Sequence, residues 1–286
     1  MKRREFVLKS SLLTTSILAP MSLSSCNNLP SKNKVGIQLY SLRDEMIKNP
    51  KETLAKVASF GYKYIEGYEG DLGLFWGMSN IEFKKYLDTL GLKMIASHCG
   101  DTNNLESFKT KCNQAAEVGI DYLICPWADG ERSIAGFQQI AETFNKCGLI
   151  AKESGIKFAY HNHDYSFKKI DGVYLQDVLM SGTDKNLVDF EMDIYWVVAS
   201  GEDPKLWFDK YPGRFTHSHV KDYKKLPNNK YESCTLGRGS IDFPSILAYG
   251  KEKGLKFFIV EQEAYTGTSQ LESAKDNYNY MSALKV

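Results

Sequence analysis

From residue 35 to the C-terminus, eight short apolar runs alternate with amphipathic helical stretches, and this rhythm constrains the fold more than any other feature. The strand-like runs cover residues 35–39, 62–66, 93–97, 121–125, 157–161, 187–193, 215–220 and 256–261. The segments between them, such as 81–90 and 133–153, place apolar residues at helical spacing. Several runs are entered through a glycine suited to ending the preceding helix: Gly61, Gly91, Gly119, Gly155 and Gly254. Eight strands alternating with helices over about 250 residues match the size of an α/β fold of the (β/α)8 TIM barrel type. An open doubly wound sheet would carry a glycine-rich phosphate loop after its first strand, and Gly36-Ile-Gln-Leu-Tyr-Ser-Leu-Arg43 contains none. Residues 35–286 are expected to form this single barrel domain.

The N-terminus is a different kind of sequence. Met1-Lys-Arg-Arg4 supplies positive charge, and an apolar, Ser/Thr-rich stretch follows that is too short and broken to span a membrane stably. Leu23-Ser-Ser-Cys26 resembles the bacterial lipoprotein cleavage box, and Arg3-Arg4-Glu-Phe-Val-Leu-Lys9 resembles a twin-arginine signal. Residues 1–26 are therefore expected to be an export signal and 27–34 a short tether. The mature protein would be periplasmic or membrane-anchored through a lipid on Cys26, with no other membrane contact. The other five cysteines, Cys99, Cys112, Cys125, Cys147 and Cys234, show no Cys-x-x-Cys pair, so neither a disulfide framework nor a structural zinc site is expected.

Charge excludes some functions. The 36 basic and 35 acidic residues nearly cancel, which leaves no electrostatic footprint for nucleic acid. The titratable residues are placed more tellingly. All five histidines lie at the ends of strand-like runs: His98, His161, His163, His217 and His219. Alternate strand residues point into a barrel, and by that parity His161 pairs with His163, Glu191 with Asp193, His217 with His219 and Lys221, and Glu261 with Glu263. Four neighbouring strand ends thus offer ionisable groups whose uncompensated burial would cost several kcal/mol each. One divalent cation would compensate them; mixed imidazole and carboxylate ligands suit Mn²⁺, Mg²⁺, Co²⁺ or Zn²⁺.

The segments Gly36-Ile-Gln-Leu-Tyr-Ser-Leu-Arg43, Tyr160-His-Asn-His-Asp164, Asp193-Ile-Tyr-Trp-Val197, His219-Val-Lys-Asp222, Leu236-Gly-Arg-Gly-Ser-Ile-Asp242 and Val260-Glu-Gln262 together resemble the sugar phosphate isomerase/epimerase family of the xylose-isomerase-like barrel superfamily, over about residues 34–280. The resemblance implies a metal held by His161, Asp193, His219 and Glu261, with His163 as the alternative ligand from the fifth strand. It also shows departures. His161 stands where the family usually has Glu, Phe167 where the epimerases carry a second general-base Glu, and Trp196 where they carry a histidine near the ketose.

The implied chemistry removes the proton next to a sugar carbonyl to give an enediolate. His163 is the first candidate for the base, with a pKa expected near working pH, and Glu66 is the second. Lys221 is expected to hold the carbonyl oxygen or a phosphate. His98, Trp127, Trp196 and Gln38 are expected on the substrate side, and His217, deeper in the barrel, as a partner to a ligand. The expected activity is a metal-dependent sugar isomerase or epimerase. The alternative is a lyase or dehydratase that eliminates a β-oxygen from a keto-sugar or 3-keto-glycoside. A sugar-binding lipoprotein without catalysis is a third reading. The partner in each case is a small sugar.

Overall fold

The computed structural model describes residues 34–227 and 230–285. The expected export signal and all but the last residue of the tether lie outside the described residues. Lys34 already opens the first strand, so it belongs to the barrel rather than to a tether.

The strands, in chain order, are β1 (Lys34–Gln38), β2 (Tyr64–Tyr68), β3 (Lys93–His98), β4 (Tyr122–Cys125), β5 (Lys157–His161), β6 (Lys169–Ile170), β7 (Val173–Tyr174), β8 (Val188–Asp193), β9 (Phe215–Val220), β10 (Asp222–Lys225), β11 (Tyr231–Cys234) and β12 (Phe257–Val260). Eight of them close a parallel barrel in the order β1-β12-β9-β8-β5-β4-β3-β2. These are the eight expected runs. The short pairs β6–β7 and β10–β11 are antiparallel hairpins in the connections after β5 and β9. They escaped the sequence reading because runs of two to four residues carry no usable alternation.

Helix ends follow local chemistry. The helix Asn80–Leu90 starts at a capping box in which Ser79 and Glu82 satisfy each other's backbone, and it stops at Gly91 with φ 65°. The helix Leu105–Val118 stops likewise at Gly119, φ 85°. Outward-facing strand residues such as Phe158 pack on helix aromatics: its ring lies 5.6 Å from Phe108 and 5.3 Å from Phe144. A separate apolar cluster of Ile95, Ala96, Tyr122, Ile124, Ala159, Phe257 and Ile259, with Tyr64 against it, fills the barrel axis. Above that plug the inward positions turn polar.

Two register shifts interrupt the ladders, one at Ile65/Glu66 between β2 and β3 and one at Phe190/Glu191 between β8 and β9. Bulges re-aim the side chains beside them. Both here adjoin a buried glutamate of the site.

Candidate metal centre and substrate cavity

The carboxyl ends of the barrel strands gather four buried carboxylates, Glu66, Glu191, Asp193 and Glu261, around His98, His161, His219 and Lys221. His219 divides them into two tiers. Its Nδ1 lies 3.0 Å from Glu261 Oε2 and 4.0 Å from Asp193 Oδ2. Its Nε2 lies 2.7 Å from Glu66 Oε1 and 3.3 Å from Glu191 Oε2. In the lower tier His98 Nε2 is 3.1 Å from Glu66 and 2.9 Å from Glu191, and His161 Nδ1 is 3.0 Å from Glu191.

Among the described residues, two sets of donors are compact enough for an ion: Asp193, His219 and Glu261, and separately His98, His161, Glu191 and His219, each set with its ligand atoms within 4.8 Å of one another. Of the four expected ligands, three therefore converge. His161 belongs to the second set rather than the first. Its Nδ1 turns to Glu191, and its Nε2 stands 3.8 Å from Asp193 Oδ2. The other strand-five candidate, His163, belongs to neither set.

Charge bookkeeping supports an ion here. The Lys221 ammonium lies within 3.6 Å of Asp193, Glu261 and Glu263, while Glu66 and Glu191 face imidazoles. Asp193 Oδ2, Glu191 Oε1 and Glu66 Oε2 are buried without a hydrogen-bond partner. Buried polar atoms are normally satisfied, so orphaned carboxylate oxygens in a ring of imidazoles suit a cation.

Burial alone would push the His98 imidazole down, but Glu66 and Glu191 outweigh it and raise it to about 9. Burial likewise raises Glu191 and Asp193, with Glu66 reinforcing the shift at Glu191. At Glu261 burial is outweighed by the Lys221 and His219 cations, which hold its carboxyl below the usual range.

Several expected roles need correction. Gln38 is fully buried and donates to Glu66 Oε1 at 2.8 Å, so it fixes that carboxylate rather than meeting a substrate. Glu66 is itself fully buried beneath the cavity lining. His98 does line the cavity, yet its Nε2 is spent on the lower tier. Lys221 is 1% exposed and donates to Glu261 at 3.2 Å and Glu263 at 2.7 Å, so its ammonium neutralises carboxylates instead of facing a carbonyl or a phosphate. His217 reaches no ligand. Its Nδ1 meets Thr216 Oγ1 at 2.9 Å and its ring packs on Tyr122 and Phe257 in the barrel plug.

A cavity of about 490 Å³ opens over this centre, lined among others by His98, His161, His163, Trp127, Glu261 and Glu263. His163 lines the cavity as a partly exposed imidazole, with its Nδ1 buried and unpartnered. Its ring is wedged against Trp127 at 5.1 Å, Tyr165 at 5.9 Å and Trp196 at 5.7 Å. Burial first, and Lys221 second, lower its pKa to about 3, so it is neutral at working pH and a weaker base than the expected group balanced there. Trp196 stacks over the Lys221 ammonium at 5.2 Å and does not line the cavity.

Sequence reading passed over Tyr40 and Tyr68, which also line the cavity with rings 5.3 Å apart. It noted the parity of Glu191 and Glu263 without giving either a role. That period-two signal was sufficient to find them.

The profile of xylose isomerase-like TIM barrels matches residues 54–284. The inosose dehydratase of Clostridium perfringens (strain 13 / Type A) is 31% identical over 159 residues, 49% of this chain and 48% of that protein. That of Salmonella typhimurium is 30% identical over 130 residues, 40% of this chain and 42% of that protein. The chain thus spans about half the length of the curated relatives it matches. Among solved structures, a sugar phosphate isomerase/epimerase from Parabacteroides distasonis ATCC 8503 superposes with a TM-score of 0.78 at 27% identity, covering 90% of this chain and 97% of that one.

Proposed function

This chain belongs to the xylose isomerase-like TIM barrel family, and we propose that it is a divalent-metal-dependent lyase that abstracts the proton next to a sugar carbonyl and then expels a β-oxygen. The observation that carries this reading is the partly exposed imidazole of His163 in the cavity wall, beside the carboxylate–imidazole centre. Asp193, His219 and Glu261 would hold the ion, with His161 within reach through Nε2. The ion, when bound, supplies Lewis-acid polarisation that acidifies the neighbouring C–H.

The chain's own residues supply the rest. His163 takes the proton, the C–H electron pair becomes the new C=C bond, the β C–O bond breaks, and His163 returns its proton to the departing oxygen. Glu66, Glu191, His98 and Gln38 orient the imidazoles from below. Lys221 holds Glu261 and Glu263 in place.

Elimination is favoured over two-base epimerisation because, by the family resemblance, Phe167 stands where the epimerases carry a second base. It is buried and packs edge-on against Trp207 at 5.2 Å. The two other carboxylates of the cavity wall are already paired, Glu69 with Lys111 at 2.7 Å and Glu263 with Lys221 at 2.7 Å. Matched relatives named as dehydratases point the same way. Isomerisation is the second reading, favoured by the matched structure named as an isomerase/epimerase. Ultraviolet absorbance separates them: an enone chromophore growing with a keto-sugar supports elimination. Solvent deuterium incorporated at the α-carbon without a chromophore contradicts it.

The same reading makes residues 1–26 an export signal and Cys26 the lipid attachment point. Labelled palmitate incorporated into the wild type and lost in Cys26→Ser tests this.

A further inference from the structure

Barrels that bind phosphorylated metabolites commonly use backbone amides in the loops after their seventh and eighth strands. In this chain the seventh barrel strand is β9, and the loop after it does contain such an amide cradle. The cradle is filled from within. Asp222, 1% exposed, puts Oδ2 3.0 Å from the amide of Gly237 and 3.0 Å from that of Gly239, and Oδ1 3.2 Å from that of Ile241. The fit is close: a Cβ on Gly239 would stand 2.1 Å from Asp222 Oδ1. The chain's own carboxylate thus takes up these amides, which are not available to a phosphate.

The cavity wall offers no substitute. Its lining contains Glu69, Glu261 and Glu263 but neither lysine nor arginine. The nearby cations are committed, Arg132 included: its guanidinium lies 5.3 Å from the Trp127 ring and 3.8 Å from the Tyr165 ring and donates to the Ala128 carbonyl. Lys111 bridges Glu69 and Asp101, Lys221 is buried on Glu261 and Glu263, and Arg43 donates to the Glu263 carbonyl at 3.0 Å. A dianionic phosphate entering this wall would meet carboxylates.

What the wall does offer is ring faces. Among the described residues, the exposed large apolar side chains include two aromatics, Tyr40 at 42% and Trp127 at 51%, and both line this cavity. Volume adds a second point. A hexose has about twelve heavy atoms, and even at a water's share of about 30 Å³ each it fills only about 360 Å³. The cavity, at about 490 Å³, leaves room beyond one ring.

We propose that the substrate is an uncharged, unphosphorylated glycoside of at least two rings, stacked on Tyr40 and Trp127 where the cavity opens. This rests on the sugar-lyase reading above and narrows its substrate class.

The test is calorimetric titration of the full chain with a panel of neutral disaccharides and aryl glycosides, with glucose, glucose 6-phosphate and inorganic phosphate as references. At least one glycoside is expected to bind ten times more tightly than all three references, about 1.4 kcal/mol. Trp127→Ala should weaken that glycoside at least tenfold and glucose less than twofold, and Trp127→Phe should restore most of the loss. Glucose 6-phosphate or phosphate binding as tightly as every glycoside overturns the proposal. So does a panel in which no glycoside exceeds glucose, or a Trp127→Ala chain that binds as the wild type does. Turnover and metal content are not read in this experiment, so failure of the lyase reading shows separately.

Discussion

His219 Nδ1 and Glu261 Oε2 face each other at 3.0 Å across neighbouring barrel strands, with Asp193 Oδ2 4.0 Å from the same nitrogen. This is the upper tier to which the account assigns the ion. Glu261→Gln keeps the shape but removes the charge. It should lower metal content at least tenfold by elemental analysis and abolish turnover, while circular dichroism stays that of the wild type. A variant that retains its metal and turns over normally would show the strand-eight assignment to be wrong.

Lys221 is a buried cation held by Asp193, Glu261 and Glu263 at 3.6, 3.2 and 2.7 Å. Replacing it with methionine leaves those charges uncompensated, a change that typically costs about 3–5 kcal/mol. Lys221→Met should therefore melt well below the wild type in chelator. Added Mn²⁺ should raise its melting temperature more than it raises the wild type's. Equal shifts for the two proteins would mean that Lys221 and the ion do not share one set of carboxylates.

The barrel was legible because its evidence is periodic: eight apolar runs, glycine stops, and polar pairs at alternate positions near the strand ends. Asp193, His219 and Glu261 came from that parity joined to the motif resemblance. Their partners were less visible. Glu66 and Gln38 meet across β1 and β2, and no one-dimensional pattern gives a hydrogen bond between residues 28 apart in sequence. Parity aimed Lys221 inward correctly, but could not show that three carboxylates would claim its ammonium. His217 has the same parity as His219, yet it sits one layer lower, where aromatic packing replaces polar chemistry. The bulges beside Glu66 and Glu191 leave no sequence signature at all.

Gly239 is required by close approach. A methyl group there would meet Asp222 Oδ1 at 2.1 Å and the Tyr223 carbonyl at 2.5 Å. Gly239→Ala should destabilise the fold by about 1–3 kcal/mol, read as a lowered urea midpoint with an unchanged slope. An unchanged midpoint would mean that the loop after β9 does not close on Asp222 in solution.

Burial pushes the thiols of Cys112, Cys125 and Cys147 up to about 12, from an ordinary value of 9.0. The sign follows directly. Above pH 9 the unfolded chain loses these protons while the folded chain keeps them, so stability is full below that pH and falls as pH rises toward 12. Each thiol contributes a slope of about 1.4 kcal/mol per pH unit in that window. Iodoacetamide at pH 8 should leave these three cysteines unlabelled in the native protein and label them in guanidinium. Rapid native labelling would contradict their burial.

The central claim is the position of one divalent ion, and anomalous scattering from a crystal soaked in Mn²⁺ measures it most directly. A single peak is expected within about 2.0–2.4 Å of Asp193, His219 and Glu261 oxygen or nitrogen atoms. A peak confined to the lower tier of His98, Glu191 and Glu66, or no peak while Lys221 stays locked on the carboxylates, would contradict it.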